Sequence, residues 1–106
     1  MIGRGHRGRV DANQAEIVKA LRQAGCSVQS LSMVGGGCVD LLVGRAGQSF
    51  CLEVKVDGNA KLTEAEEDWS RKWSGHYKVV HSVPEALLAV GIYTAVLPMR
   101  RRIGAK

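Results

Sequence analysis

Apolar residues recur at helical spacing at Ile17, Ala20, Leu21 and Ala24, behind a cap signal at Asp11-Ala12-Asn13 and ahead of Gly25. That spacing predicts a first helix from about residue 11 to Ala24. The pattern then shortens. Cys26 to Leu31 reads as a strand, with Val28 and Leu31 as its apolar residues. Val39-Asp40-Leu41-Leu42-Val43 and Phe50-Cys51-Leu52-Glu53-Val54-Lys55-Val56 read as two more, each bounded by glycines or a turn. Gly44 to Gln48 is a hairpin connection and Asp57-Gly58-Asn59 a turn. Thr63 caps a second helix over about Glu64 to Trp73, whose apolar stripe Leu62, Ala65, Trp69 and Trp73 is expected in the core, with a base-stacking platform as the alternative for the two tryptophans. Tyr77 to His81 is a further strand, and Pro84, behind Ser82 and Val83, starts a last helix. Ile92 to Leu97 is a short edge strand or an extended tail. The predicted order is α-β-β-β-α-β-α, a mixed sheet flanked by helices, of the α/β class.

Chemistry enters where charge interrupts the strands. Side chains alternate along a strand, so Phe50, Leu52, Val54 and Val56 face one way and Cys51, Glu53, Lys55 and Asp57 the other. A carboxylate and an amine on a strand otherwise built for a core are costly unless paired or used. If the two central strands pair, Asp40 joins them. Two carboxylates and a lysine then converge, which suits Mg²⁺ and a polarised water. The ordinary alternative is a Glu53–Lys55 salt bridge on a wetted sheet face, with Asp40 a strand-end carboxylate.

The 106 residues suffice for one core and one domain. No apolar run approaches the roughly 20 residues needed to span a bilayer, and the basic N-terminus lacks the apolar segment of a secretory signal. An intracellular, cytoplasmic protein is expected. Cys26, Cys38 and Cys51 are spread apart and form no CxxC, so they read as small buried thiols rather than a zinc or disulfide framework. His6, His76 and His81 share no ligand spacing. Gly35 to Gly37 lacks a following Gly-Lys-Ser/Thr, which argues against a phosphate loop; these glycines let backbone or substrate pass close to Asp40. Charge is uneven. Arg4, Arg7 and Arg9 at one end and Arg100, Arg101, Arg102 and Lys106 at the other account for seven of the 15 Lys/Arg. The middle keeps eight against 10 Asp/Glu, a net of −2. Basic ends on a near-neutral body suit phosphate binding, with solvated tails as the bland alternative.

Asp40, a hairpin, then Glu53-X-Lys55 resembles the PD-(D/E)XK nuclease superfamily. Gly35 through Val43 looks like the glycine-rich approach to the metal-binding Asp of its VRR-NUC branch, the virus-type replication-repair nucleases. Glu53 through Thr63 looks like that branch's strand, turn and next helix start. The resemblance covers roughly residues 11 to 90. It departs at Val39, where many members have Pro, and at Glu66, where many have Gln. It implies a restriction-endonuclease-like core at 11–97, between a basic flexible arm at 1–10 and a basic tail at 98–106.

The resemblance also implies roles. Asp40 and Glu53, with the backbone carbonyl of Val54, would hold Mg²⁺ or Mn²⁺. Lys55 would hold and polarise the attacking water. Glu16 matches an acidic residue of the first helix used for a further metal contact or for water, with a solvated helix-edge charge as its alternative. Glu66 borders the second helix's stripe and either reaches the site or joins Glu64, Glu67 and Asp68 on a wet, dipole-favoured face. Lys61 and the arginines of the two ends are candidate phosphate contacts. The expected function is metal-dependent cleavage of DNA, branched or duplex, recognised by shape. A homodimer in a phage or bacterial setting is implied as well. A non-catalytic nucleic-acid-binding module on the same fold, or an RNA-processing nuclease, shares these features.

Overall fold

The computed structural model describes residues 2–93, with side chains from residue 12 onward. Its elements are α1 (Ile2–Gln23), β1 (Ser27–Ser30), β2 (Leu41–Arg45), β3 (Gln48–Val54), α2 (Glu64–Lys72), β4 (His76–Val80) and α3 (Val83–Ala89). The order α-β-β-β-α-β-α is the expected one. The sheet runs β1-β2-β3-β4. β2 pairs antiparallel with both β1 and β3, and β4 pairs parallel with β3 after the crossover through α2. The sheet is therefore mixed, of the restriction-endonuclease-like kind.

Local signals account for most boundaries. Ala46 and Gly47, both at positive φ (52° and 80°), form a two-residue turn between β2 and β3. Such a turn matches the twist of the strands it joins. It starts β3 at Gln48, two residues earlier than expected. Thr63 caps α2 and Ser82 caps α3 through their side-chain oxygens, with Pro84 in the first turn of α3. Lys55 N–H still donates to Val80 O at 3.0 Å, carrying the parallel ladder one residue past β3.

One boundary differs more. α1 begins at Ile2, so residues 2–10, expected as a flexible arm, are helical. Three glycines there oppose a helix by about 1 kcal/mol each, but an existing helix extends at one hydrogen bond per residue. The cap expected at Asp11-Ala12-Asn13 does not form. Asn13 Nδ2 instead donates to Lys55 O (3.3 Å) and His81 O (3.2 Å), tying α1 to the ends of β3 and β4. The Arg4, Arg7 and Arg9 side chains lie outside the described residues. So do Arg100, Arg101 and Arg102, the 98–106 tail and most of the expected strand at 92–97.

The core lies on one face of the sheet. Leu41, Val43, Leu52, Val54 and Val80 pack there against Ile17 and Leu21 of α1 and Ala86 and Val90 of the α3 region. Each buried Val, Leu or Ile there contributes about 1.5–3 kcal/mol. α2 covers the other face and has no buried residue. The expected core placement of Ala65, Trp69 and Trp73 is therefore corrected: Ala65 and Trp73 are exposed and Trp69 is half-buried. The reason is the face beneath. It presents Glu53 and Tyr77 among Leu42, Cys51 and Val79 rather than a continuous apolar layer.

Alternation makes a sharp comparison between neighbours. Leu41 is 0% and Leu42 36% exposed. Leu41→Ala is expected to cost about 2–5 kcal/mol and Leu42→Ala well under half of that. Urea denaturation of both variants checks this, and equal losses would contradict the assigned faces.

Candidate active site

The hairpin register builds the centre of the site. Leu41 pairs with Leu52, and continuing the register by one residue sets Asp40 opposite Glu53. Asp40 lies just before β2, where its Oδ2 accepts the Val54 N–H at 2.7 Å. Glu53 is 2% exposed, the one buried charged residue among those described. Lys55 Nζ lies 3.6 Å from Glu53 Oε2 and 2.8 Å from Glu66 Oε1. Glu53 and Lys55 do pair, but not on a wetted sheet face.

α2 supplies the fourth group. Glu66 is the N3 residue of a capping box: its Oε1 accepts Thr63 N–H at 2.9 Å, and Thr63 Oγ1 accepts Glu66 N–H at 3.1 Å. The same Oε1 receives Lys55. The helix cap thus fixes the carboxylate that holds the lysine. Position 66, one of the alternatives left by the sequence, joins the cluster.

The glycine run sets the spacing between Asp40 and α2. Gly37 has φ +82°, and a Cβ there would collide with the backbone of Ala65. Only glycine lets the loop before Asp40 lie this close to the first turn of α2.

Three carboxylates share one lysine, and the electrostatics follow. Burial pushes Glu53 up to about 8, and the nearby charges of Asp40 and Glu66 add to this against the pull of Lys55. Asp40 is also raised, by burial first, with the Val54 N–H opposing. For Glu66, burial is outweighed by the Lys55 and Thr63 hydrogen bonds, which hold it below the usual carboxylate range. Lys55 is raised, since the pull of Glu66 and Glu53 exceeds the effect of its burial. A half-buried group of this excess negative charge favours a proton or a cation. Asp40, Glu53 and the Val54 carbonyl make an oxygen-only donor set that fits Mg²⁺ or Mn²⁺ rather than zinc. Among the described residues no three His, Cys, Asp or Glu side chains form a ready cluster. Glu66 is already bonded to Lys55 and Thr63.

Other expected residues lie apart. Glu16 is exposed on α1, with no hydrogen bond or ion pair to the cluster among the described residues. Lys61 is exposed in the segment before α2. Two contributors were not foreseen. Asn13 anchors the backbone at Lys55, a role hidden by its place in a cap-like triplet. Tyr77 shares the sheet face of Glu53 because Cys51 pairs with Tyr77 and Glu53 with Val79. Its hydroxyl is pushed up by burial and then by the Glu53 charge.

No family model and no curated protein matches the chain. A solved structure described as "VRR_NUC domain" does, with 28% identity and a TM-score of 0.63, over 80% of this chain and 97% of that one. This chain has the VRR-NUC nuclease-like fold. The domain is therefore of the nuclease type. Within the VRR-NUC fold, Val39 is buried ahead of Asp40, so an apolar residue serves where Pro is common. Glu66, where Gln is common, gives Lys55 a charged partner.

The Glu53 proton sets a pH dependence in the absence of metal. The folded state keeps it up to about 8, whereas the unfolded chain releases it near 4.5. Folding takes up a proton between those values, so stability falls as pH rises through the window. Glu53→Gln stays neutral throughout and is expected to gain on the wild type as pH rises. Urea denaturation in EDTA across that range measures the difference, and parallel pH profiles would contradict the buried-carboxylate account.

Proposed function

We propose that the protein is a metal-dependent endonuclease that hydrolyses phosphodiester bonds in DNA, selective for branched, flap or junction structures. The observation that carries this is the convergence of Asp40, Glu53 and Lys55 on one sheet face, next to the cap of α2. When bound, Mg²⁺ or Mn²⁺ supplies a Lewis acid for the scissile phosphate and acidifies a water. The chain's own residues do the rest. Asp40 and Glu53, with the Val54 carbonyl, would hold the ion. The Val54 N–H holds Asp40 in a fixed orientation. Lys55 Nζ has three donors. One is held by Glu66 at 2.8 Å and another faces Glu53. The third is left for the attacking water or a phosphoryl oxygen, where charge develops. Held between carboxylates, Lys55 acts as a cationic donor rather than a base. Arg4, Arg7, Arg9, Lys61 and Arg100 to Arg102 would contact flanking phosphates, and a two-fold dimer would set two such sites on one branched substrate.

Labelled Holliday junction, flap, fork and linear duplex, incubated with Mn²⁺, Mg²⁺ or EDTA, test this. Cuts are expected on a branched substrate only with metal, lowered about 100-fold or more in Glu53→Ala and Lys55→Ala. Salt-sensitive binding with no cuts, unaffected by EDTA, would leave a binding module in place of an enzyme. Cuts confined to structured RNA would replace the DNA assignment.

A further inference from the structure

The two tryptophans of the chain, Trp69 and Trp73, stack with ring centroids 5.0 Å apart and planes 12° from parallel. Tyr77 tilts against Trp69 at 6.3 Å. Trp73 is fixed in place. Its Nε1 donates to His76 O at 3.2 Å, and the Gly75 backbone lies so close that a Cβ there would come within 2.9 Å of Nε1. Yet Trp73 is 43% exposed. A ring with its N–H satisfied and its apolar surface in water is held ready for a flat partner. The row also has a direction. It runs from the surface through Trp69 to Tyr77, on the sheet face that carries Glu53.

We propose that Trp73, backed by Trp69, is a stacking platform for an unpaired nucleobase of the strand whose scissile phosphate enters the Asp40–Glu53–Lys55 site. This rests on the nuclease reading above. Every base has a π-face, so such a platform selects unpaired strand without selecting sequence. A second copy of the chain fits this surface less well. A stable interface buries about 800 Å² per partner around a charge-depleted centre. Trp73 is the one large apolar residue exposed along α2 and its cap, while Glu64 and Glu67 in the first turn and Arg71 and Lys72 in the last are exposed as well. A single flat ring with the cations Arg71 and Lys72 next to it in sequence, both exposed and bridged to Asp68, suits a base on a phosphate backbone better than a second protein surface.

Both tryptophans belong to the platform, so the protein's own fluorescence reads it. The full chain in EDTA is titrated with a short oligothymidylate, following tryptophan emission and the anisotropy of a labelled strand. Saturating quenching is expected. Trp73→Ala is expected to weaken binding about 5- to 150-fold with an unchanged slope of log Kd against log salt. Trp73→Phe is expected to recover much of the affinity, which a folding defect would not. Binding without quenching would overturn the platform, as would affinity unchanged in Trp73→Ala. A shift from dimer to monomer in Trp73→Ala with intact oligonucleotide affinity would reassign the surface to a second copy. Because the titration is free of metal, quenching without Mn²⁺-dependent cleavage sinks only the nuclease reading. Cleavage without quenching sinks only the platform.

Discussion

A carboxylate in the middle of a sheet, facing a second carboxylate, is the constraint around which the site face of this protein is arranged. Two like charges about 4 Å apart repel by about 4 kcal/mol at an effective dielectric near 20. That is a large share of the 5–15 kcal/mol that holds a typical domain together. Burial is the larger load on Glu53, the Asp40 charge adds to it, and with one lysine for relief Glu53 keeps its proton up to about 8. Fully apolar packing would be more stable there. A buried group of this kind is where a perturbed titration and a functional role coincide. It also explains why α2 packs on this face without burying any residue: Glu53 and Lys55 interrupt its apolar surface and take a partner from the helix at Glu66.

The connection between helix and strand is short and specific. Thr63 caps α2, the cap fixes Glu66, and Glu66 takes Lys55 at 2.8 Å. A helix N-cap contributes about 1 kcal/mol, and a hydrogen bond between charged groups about 1.5–3 kcal/mol. Local helix geometry thereby decides where the lysine points. Gly37 sets the distance from the other side by letting the loop before Asp40 touch the same turn. The opposite face of the sheet, closed by Ile17 and Leu21, carries the stability that this arrangement spends.

Elements and chemistry were legible in the sequence to different depths. Helical spacing, the Thr63 and Ser82 caps and the hairpin connection are local signals, and they specify element order. Alternation along β3 put Glu53 and Lys55 on one face, and hairpin pairing brought Asp40 to them. What escaped was non-local. Asn13 looks like a cap and instead bonds 42 and 68 residues away. The contact of Gly37 with Ala65 depends on where α2 lies. The stripe of Trp69 and Trp73 has the same spacing whether the surface below is a core or a charged site. Only the placement of Glu53 beneath α2 decides between them. The helical reach of α1 back to Ile2 was masked by glycines whose individual penalties are small beside helix continuation.

The proposed activity requires a divalent cation to replace the proton that Glu53 keeps beside Asp40. Electron paramagnetic resonance of Mn²⁺ titrated into the purified full chain near neutral pH measures this directly, with Asp40→Asn as its partner. Loss of the free Mn²⁺ signal at a single saturable site, abolished in Asp40→Asn, is the predicted result. A free-ion signal unaffected by the protein, or binding that survives Asp40→Asn, would contradict it.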